Sequence, residues 1–255
     1  MPSTARVIAF DVNGTMLELR PLKAHLQRAF GGGFTIDEWF AQIIQYAMAT
    51  SLSGDYREFG DIAISVLKMA ASARGIKLSE RQQEAIRQQM RDLPAYAEVK
   101  RSLKRLRDAG FTLIALSNSG TAALQAQLRN AGIAECFDHR VSVEQVKRFK
   151  PAPEPYREAA RIAKVQPADL LMVAAHPWDL MGAARAGCQT AFVRRPGFAL
   201  FPGTSAPDYA VEDFTQLADN LAGRKSNLLM AAGGIAMAVG FAIIASRDRK
   251  HVDGA

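Results

Sequence analysis

An α/β fold with a parallel sheet is predicted by three observations. Apolar runs short enough for buried strands recur along the chain, helical patterns separate them, and polar turns close them at their carboxyl ends. The runs fall at 7–10, 111–116, 138–143, 170–175 and 190–194, and the helical stretches after Val99 at 99–109, 121–131, 153–165 and 179–186. Strands that alternate with helices join in parallel and are covered on both faces, giving a Rossmann-like core.

Between residues 20 and 95 the pattern is helical only, which predicts a unit inserted after the first strand. Thr35-Ile36-Asp37-Glu38 is a capping box, and the helix it opens places Trp39, Ile43, Tyr46 and Ala47 on one face. Tyr56 to Ala73 forms a second helix, with Phe59, Ile62, Val66 and Met69 along its apolar face and Gly75 in the stop position. Ser79-Glu80-Arg81-Gln82 opens a third. The expected organisation is a core domain over 1–19 and 96–222, a helical cap over 20–95, and a hydrophobic tail over 223–255. A cap inserted directly after the first strand lies over the strand ends, where it excludes water and supplies substrate contacts.

The 255 residues are 49% hydrophobic, enough for a sizeable core. The net charge of +7 divides into +3 beyond residue 223 and +4 before it. Basic residues elsewhere, as in VKRSLKRLRDAG, lie at helical spacing beside apolar positions and read as a solvated helix face, so nucleic acid is not an expected partner. Cys136 and Cys188 have no C-x-x-C spacing and sit in apolar surroundings, as small hydrophobes do. No basic-then-apolar leader precedes the first strand, so a cytoplasmic catalytic domain is expected.

The first run delivers Asp11 to a turn containing Asn13, Gly14 and Thr15. The carboxyl end of a parallel strand is where reacting groups gather, and a carboxylate there can attack carbon or phosphorus to form an ester. Partners follow in order: Ser117-Asn118-Ser119-Gly120 after the run 111–116, Lys150-Pro151-Ala152-Pro153 ahead of a helical stretch, and Asp179 after the run 170–175.

This set resembles the haloacid dehalogenase superfamily over residues about 5–222. Its phosphatase branch typically holds Mg²⁺ with D-x-D in the first motif and G-D-x-x-x-D in the last. Here Asn13 and Ala175 stand at two of those carboxylates, and the general acid two residues after the nucleophile is missing. A metal-independent site without a cofactor is therefore expected. A halide leaves without protonation, and the chain is similar to the type II, L-2-haloacid dehalogenases. The stretch from Trp39 to Tyr46, FDHRVSVEQVKRFKPAPEPY and WDLMGAARAG extend that similarity.

The resemblance implies that Asp11 displaces halide with inversion and that water then hydrolyses the aspartyl ester. Thr15 and Lys150 would hold Asp11, Ser117 would contact the substrate carboxylate and Asn118 the halide. Asp179 would orient or activate water, supported by Tyr156; packing of a satisfied Tyr156 hydroxyl is the other reading. Three departures stand out: Asn13 replaces the Tyr of D-x-Y-G-T, Phe40 replaces a substrate-binding Arg, and Ala174 and His176 replace a Ser and an Asn. His176 has three readings: a carboxylate or halide ligand, a base, or a space filler. Arg57 is a substitute cation or a solvated surface charge. The leading expectation is a hydrolase of 2-haloacid-like small molecules. A weakly active or inactive domain for small-anion binding at a membrane is the rival, and a Mg²⁺-dependent phosphatase the third reading.

From Ser226 to Ser246 the tail carries no charge, and basic residues flank it on both sides. As a helix it would be roughly 30 Å long at about 1.5 Å per residue, the thickness of a bilayer core. Its seven Leu, Ile, Val and Phe residues favour insertion by only about 2–4 kcal/mol. Ala232, Ala236 and Gly240 form a ridge suited to close helix association. A membrane anchor is expected; an alanine-rich helix packed on the enzyme, or on a second subunit in a homodimer, is the alternative.

Overall fold

The computed structural model describes residues 6–223. Its six strands are β1 (Val7–Phe10), β2 (Thr112–Ser117), β3 (His139–Ser142), β4 (Leu170–Ala174), β5 (Gln189–Val193) and β6 (Tyr209–Val211). All pair in parallel in the order β3-β2-β1-β4-β5-β6. β1 lies at the centre, with Val7 in register with Thr112 on one side and Leu170 on the other. Every residue of β1 is buried, as expected of a strand covered on both faces.

The period-two alternation of the strands sorts the core into two layers. Ile8, Phe10, Leu113, Ala115, Leu171 and Val173 face one layer; Val7, Ala9, Ile114, Leu116, Met172 and Ala174 face the other. The second layer is closed by α7 (Pro153–Ile162) through Tyr156 and Ala159 and by α8 (Pro177–Arg185) through Leu180 and Ala183. On the first layer lie α5 (Val99–Asp108) through Leu103 and Leu106 and α6 (Thr121–Asn130) through Leu124 and Leu128.

Between β1 and α5 run α1 (Leu22–Phe30), α2 (Ile36–Ser53), α3 (Phe59–Ala73) and α4 (Glu80–Arg91). The capping boxes at Thr35 and Ser79 are both formed. Packing joins α2 to α3 and α1 to α4, and α4 in turn meets α6 of the sheet unit. The insert is thus held over the carboxyl end of the sheet.

Three details differ from the sequence expectation. Helix α3 begins at Phe59 rather than Tyr56, because Glu58 in extended conformation caps the amides of Gly60 and Asp61. Tyr46 and Met69, read as apolar-face residues, are 41% and 40% exposed; they meet each other across the α2–α3 pair, the Tyr46 hydroxyl 3.2 Å from Met69 Sδ. A sixth strand, β6, follows β5 at the sheet edge. The hydrophobic tail and its expected helix lie outside the described residues, and among the described residues no helix is long and apolar enough to cross a membrane.

Candidate active site

The strand order reverses direction at β1, since the chain proceeds from β1 outward to β3 and then returns to β4 on the opposite side. Ligands of open α/β sheets bind at such a switch point. Asp11 directly follows β1, and its amide donates to Val173 O at 3.0 Å, prolonging the ladder by one residue. Lys150 Nζ donates to Asp11 Oδ1 at 2.7 Å, to Asp179 Oδ2 at 2.7 Å and to Leu116 O at 3.1 Å. Thr15 Oγ1 donates to Asp11 Oδ2 at 2.6 Å and accepts the amide of Ala175 at 3.0 Å. Tyr156 Oη donates to Asp179 Oδ1 at 2.6 Å and lies 2.9 Å from the backbone oxygen of the same residue. Residues 11, 15, 150, 156 and 179 are all buried.

Burial by itself disfavours a charged Asp11. The Lys150 ammonium and the His176 hydrogen bond overcome this and hold its carboxyl well below the usual carboxylate range. Burial also opposes the charge on Lys150, but the two carboxylates 2.7 Å away raise its pKa above the ordinary lysine value. Asp179 is pushed up, first by burial and then by the negative charge of Asp11, against the pull of Lys150. Desolvation and the adjacent Asp179 raise the Tyr156 hydroxyl well above its usual value, which keeps it a donor. The arrangement therefore offers an ionised Asp11 and, behind Lys150, a carboxylate more ready to take a proton.

His176 caps the N-terminus of α8 without a side-chain cap bond. Its Nδ1 lies 2.9 Å from Asp11 Oδ2. A carboxylate oxygen only accepts, so Nδ1 carries the hydrogen. The imidazole is packed by three rings: Phe40 at 5.3 Å and 28°, Trp178 at 5.2 Å and 26°, and Phe198 edge-on at 4.6 Å. Gly14, at φ +79°, lies beneath it; a Cβ there would come within 3.0 Å of the imidazole. Phe40, at the position where the resemblance leads one to expect an Arg, thus packs against the His that replaces the Asn.

Asn118 Oδ1 accepts the backbone amide of Lys150 at 3.0 Å, while its Nδ2 is buried with no partner among the described residues. Ser117 Oγ accepts the amide of Ser119 at 3.0 Å within the turn. Asn13 donates to Ser119 Oγ at 3.1 Å and accepts from Gln127 at 3.0 Å, which ties the first two strand-end loops together. Arg57 remains at the surface, 2.9 Å from Asp55, and does not reach the site. Asn13 and Ala175 add no carboxylate beside Asp11, and both oxygens of Asp11 and Asp179 already accept hydrogen bonds from Lys150, Thr15, His176 or Tyr156. The side chains present do not fit Mg²⁺, and among the described residues no three His, Cys, Asp or Glu are grouped as metal ligands.

Sequence reasoning passed over several residues that hold the site. Arg195 donates to Thr15 O at 2.9 Å, pairs with Glu98 at 2.7 Å, and stacks 3.8 Å from the Tyr96 ring centroid. An arginine two residues beyond an apolar strand was the available signal. Gln127 also donates to Met90 O at 2.8 Å, and Glu58 accepts the amide of Gly120 at 3.1 Å, joining the insert to α6. Gly182 lets α8 approach the loop beside Lys150, since a Cβ there would lie 2.4 Å from Pro151 O.

A buried, ionised aspartate at the switch point of a parallel sheet, bridged by lysine to a second carboxylate and overlaid by inserted helices, defines a hydrolase that works through a carboxylate nucleophile. The chain belongs to the haloacid dehalogenase-like hydrolase family, whose match spans residues 5–187. The haloacetate dehalogenase H-2 of Moraxella sp. (strain B) is 27% identical over 206 residues, 80% of this chain and 92% of that protein. An (S)-2-haloacid dehalogenase of Pseudomonas sp. (strain YL) is 28% identical, again over 80% of this chain and 89% of its own length. The crystal structure of an L-2-haloacid dehalogenase superposes with a TM-score of 0.80 at 28% identity, covering 86% of this chain and 99% of the other.

Proposed function

We propose that this chain hydrolyses the carbon–halogen bond of a short (S)-2-haloacid through an ester on Asp11, without a metal. The observation that carries this reading is the Lys150 bridge, with Nζ 2.7 Å from both Asp11 and Asp179. It keeps the nucleophile ionised where phosphate chemistry would require a divalent cation. The names of the relatives, which span most of the chain, supply the substrate class.

Among the described residues, Asp11 Oδ2 accepts two bonds, from Thr15 and His176, and Oδ1 accepts one, from Lys150. Oδ1 therefore keeps a lone pair free for attack. It forms a bond to the α-carbon as the carbon–halogen bond breaks and the electron pair departs with the halide. Asn118, through its unpartnered Nδ2, receives the halide, and Ser117 contacts the substrate carboxylate. Asp179, positioned by Tyr156 and Lys150, takes a proton from water as it attacks Cγ of the ester.

Turnover of 2-chloropropionate in ¹⁸O-water tests the reading. Repeated cycles place label in the Asp11 carboxylate, read by peptide mass spectrometry, because water attacks Cγ and leaves its oxygen there. Turnover with Asp11 unlabelled refutes the ester route, and no turnover refutes the substrate class.

The same reading treats 1–19 and 96–222 as the core, 20–95 as its cap, and 223–255 as an anchor for a cytoplasmic enzyme. The uncharged stretch 226–246 supports the anchor. The full chain should then sediment with membranes, while truncation after Asn220 yields a soluble enzyme of equal activity. A soluble full-length chain, or a homodimer lost on truncation, would instead favour a packed tail.

A further inference from the structure

The halves of the Asp11 carboxylate have unequal surroundings, and this inequality has a chemical use once the ester forms. If Oδ1 becomes the ester oxygen, as in the reading above on which this inference rests, Oδ2 becomes the carbonyl oxygen. When water adds to Cγ, the carbonyl electron pair moves onto Oδ2 and makes it an oxyanion. Two donors already point there: Thr15 Oγ1 at 2.6 Å and His176 Nδ1 at 2.9 Å. The Thr15 hydroxyl accepts from the Ala175 amide, which leaves its hydrogen aimed at Oδ2.

We propose that His176, together with Thr15, forms the oxyanion hole of the ester-hydrolysis step, making His176 a catalytic residue of that step. Fixed donors in a dry site act most strongly where charge develops, and they need no reorganisation as it does. His176 meets both conditions. It is buried, and Phe40, Trp178 and Phe198 lock its ring on three sides. The hydrogen must lie on Nδ1 because Asp11 can only accept, so the donor is present throughout the cycle. The packing of Phe40 on His176 is thereby part of the device: the residue that costs the site an arginine also holds the new donor in line.

Water bonds through oxygen to Cγ and gives one proton to Asp179, while the carbonyl pair moves onto Oδ2. Collapse re-forms the carbonyl and breaks Cγ–Oδ1. The departing oxygen takes a proton from Lys150, which regains one from Asp179. The restored Asp11 carboxylic acid releases the second water proton to solvent. Halide displacement, by contrast, places no new charge on Oδ2. Loss of His176 should therefore slow hydrolysis selectively.

The test is rapid-quench analysis of the full chain with excess 2-chloropropionate, measuring free chloride and the mass of the Asp11 peptide. His176→Phe keeps a ring in the stack and removes the donor; His176→Asn keeps an N–H donor. The expected result for His176→Phe is a burst of about one chloride per chain. Turnover after the burst is slower by about 10²–10³-fold, the usual effect of removing one oxyanion donor, and the ester persists on Asp11. His176→Asn should restore much of the steady rate. If His176→Phe does not fold, His176→Ala is read in the same way. An active wild type whose variants accumulate no ester overturns the oxyanion role alone. A wild type that releases no chloride overturns the dehalogenase reading, and this inference with it.

Discussion

Replacing Lys150 by Met removes the ammonium but fills much the same space, so it probes the charge at the centre of the site. Asp11 and Asp179 each lie 2.7 Å from Nζ and all three side chains are buried. Removing one partner of a buried ion pair costs about 3–5 kcal/mol, because the remaining charge loses compensation. A chain of this size loses about 2–4 °C of Tm per kcal/mol, so the expected drop is about 6–20 °C. The loss depends on pH. Asp11, whose folded pKa is depressed by Lys150, contributes stability above its unfolded value, and that contribution falls away as pH drops through the folded value. In the variant its main cation is gone and Asp179 is raised by burial, as it already is in the parent chain. A carboxylate with a raised folded pKa weakens the fold above its unfolded value, so acidification should recover stability. Calorimetry at pH 8 and pH 5 should show a large deficit at pH 8 and a smaller one at pH 5, each relative to the parent at the same pH. Asp179→Asn added to Lys150→Met should restore part of the pH 8 loss. An equal deficit at both pH values, or one below about 1 kcal/mol, would refute the electrostatic account.

Further outcomes follow from the geometry. Asp11→Asn should abolish halide release in a chloride assay while leaving the fold intact by circular dichroism. Tyr156→Phe deletes a 2.6 Å buried bond to Asp179, which should cost about 1–2 kcal/mol in a urea melt and lower kcat more than it raises KM. Phe40→Arg returns a cation beside His176; as loss of a buried charged contact costs about 2–5 kcal/mol, KM for 2-chloropropionate should fall at least about tenfold in steady-state kinetics. Gly182→Ala forces a Cβ to within 2.4 Å of Pro151 O and should destabilise by at least about 1–3 kcal/mol in the same melt. Chelators should leave dehalogenation unchanged, and p-nitrophenyl phosphate with Mg²⁺ should be hydrolysed poorly.

The groups at strand ends were legible because an apolar run followed by a polar turn fixes where a side chain emerges. Asp11 and Asp179 needed only that rule, Lys150 the Lys-Pro pair ahead of α7, and α2 and α4 only their capping boxes. The bond network was less legible. That the Tyr156 hydroxyl meets Asp179 depends on how α7 packs beside α8, and the surroundings of His176 on how α2 brings Phe40 over it. β6 has three residues and one buried side chain, too few to show alternation. The partnership of Tyr46 and Met69 also escaped helical periodicity, since the two residues cover one another across helices rather than enter the core. Arg195 and Gln127 act across more than a hundred residues of sequence, where local pattern carries no information.

The central place of β1 has a consequence for synthesis. It is the earliest of the described strands, yet both of its neighbours come later, β2 from residue 112 and β4 from residue 170. At about 5–20 residues per second, roughly 8–30 s separate the emergence of β1 from that of β4. Throughout that interval the VIAF segment has an uncovered edge, while α1 to α4 can already assemble among themselves. Strands that wait for distant partners fold slowly and expose surfaces that aggregate. Slower translation would lengthen the wait, so yield of the folded chain should depend on chaperones that shelter the nascent chain between those two points.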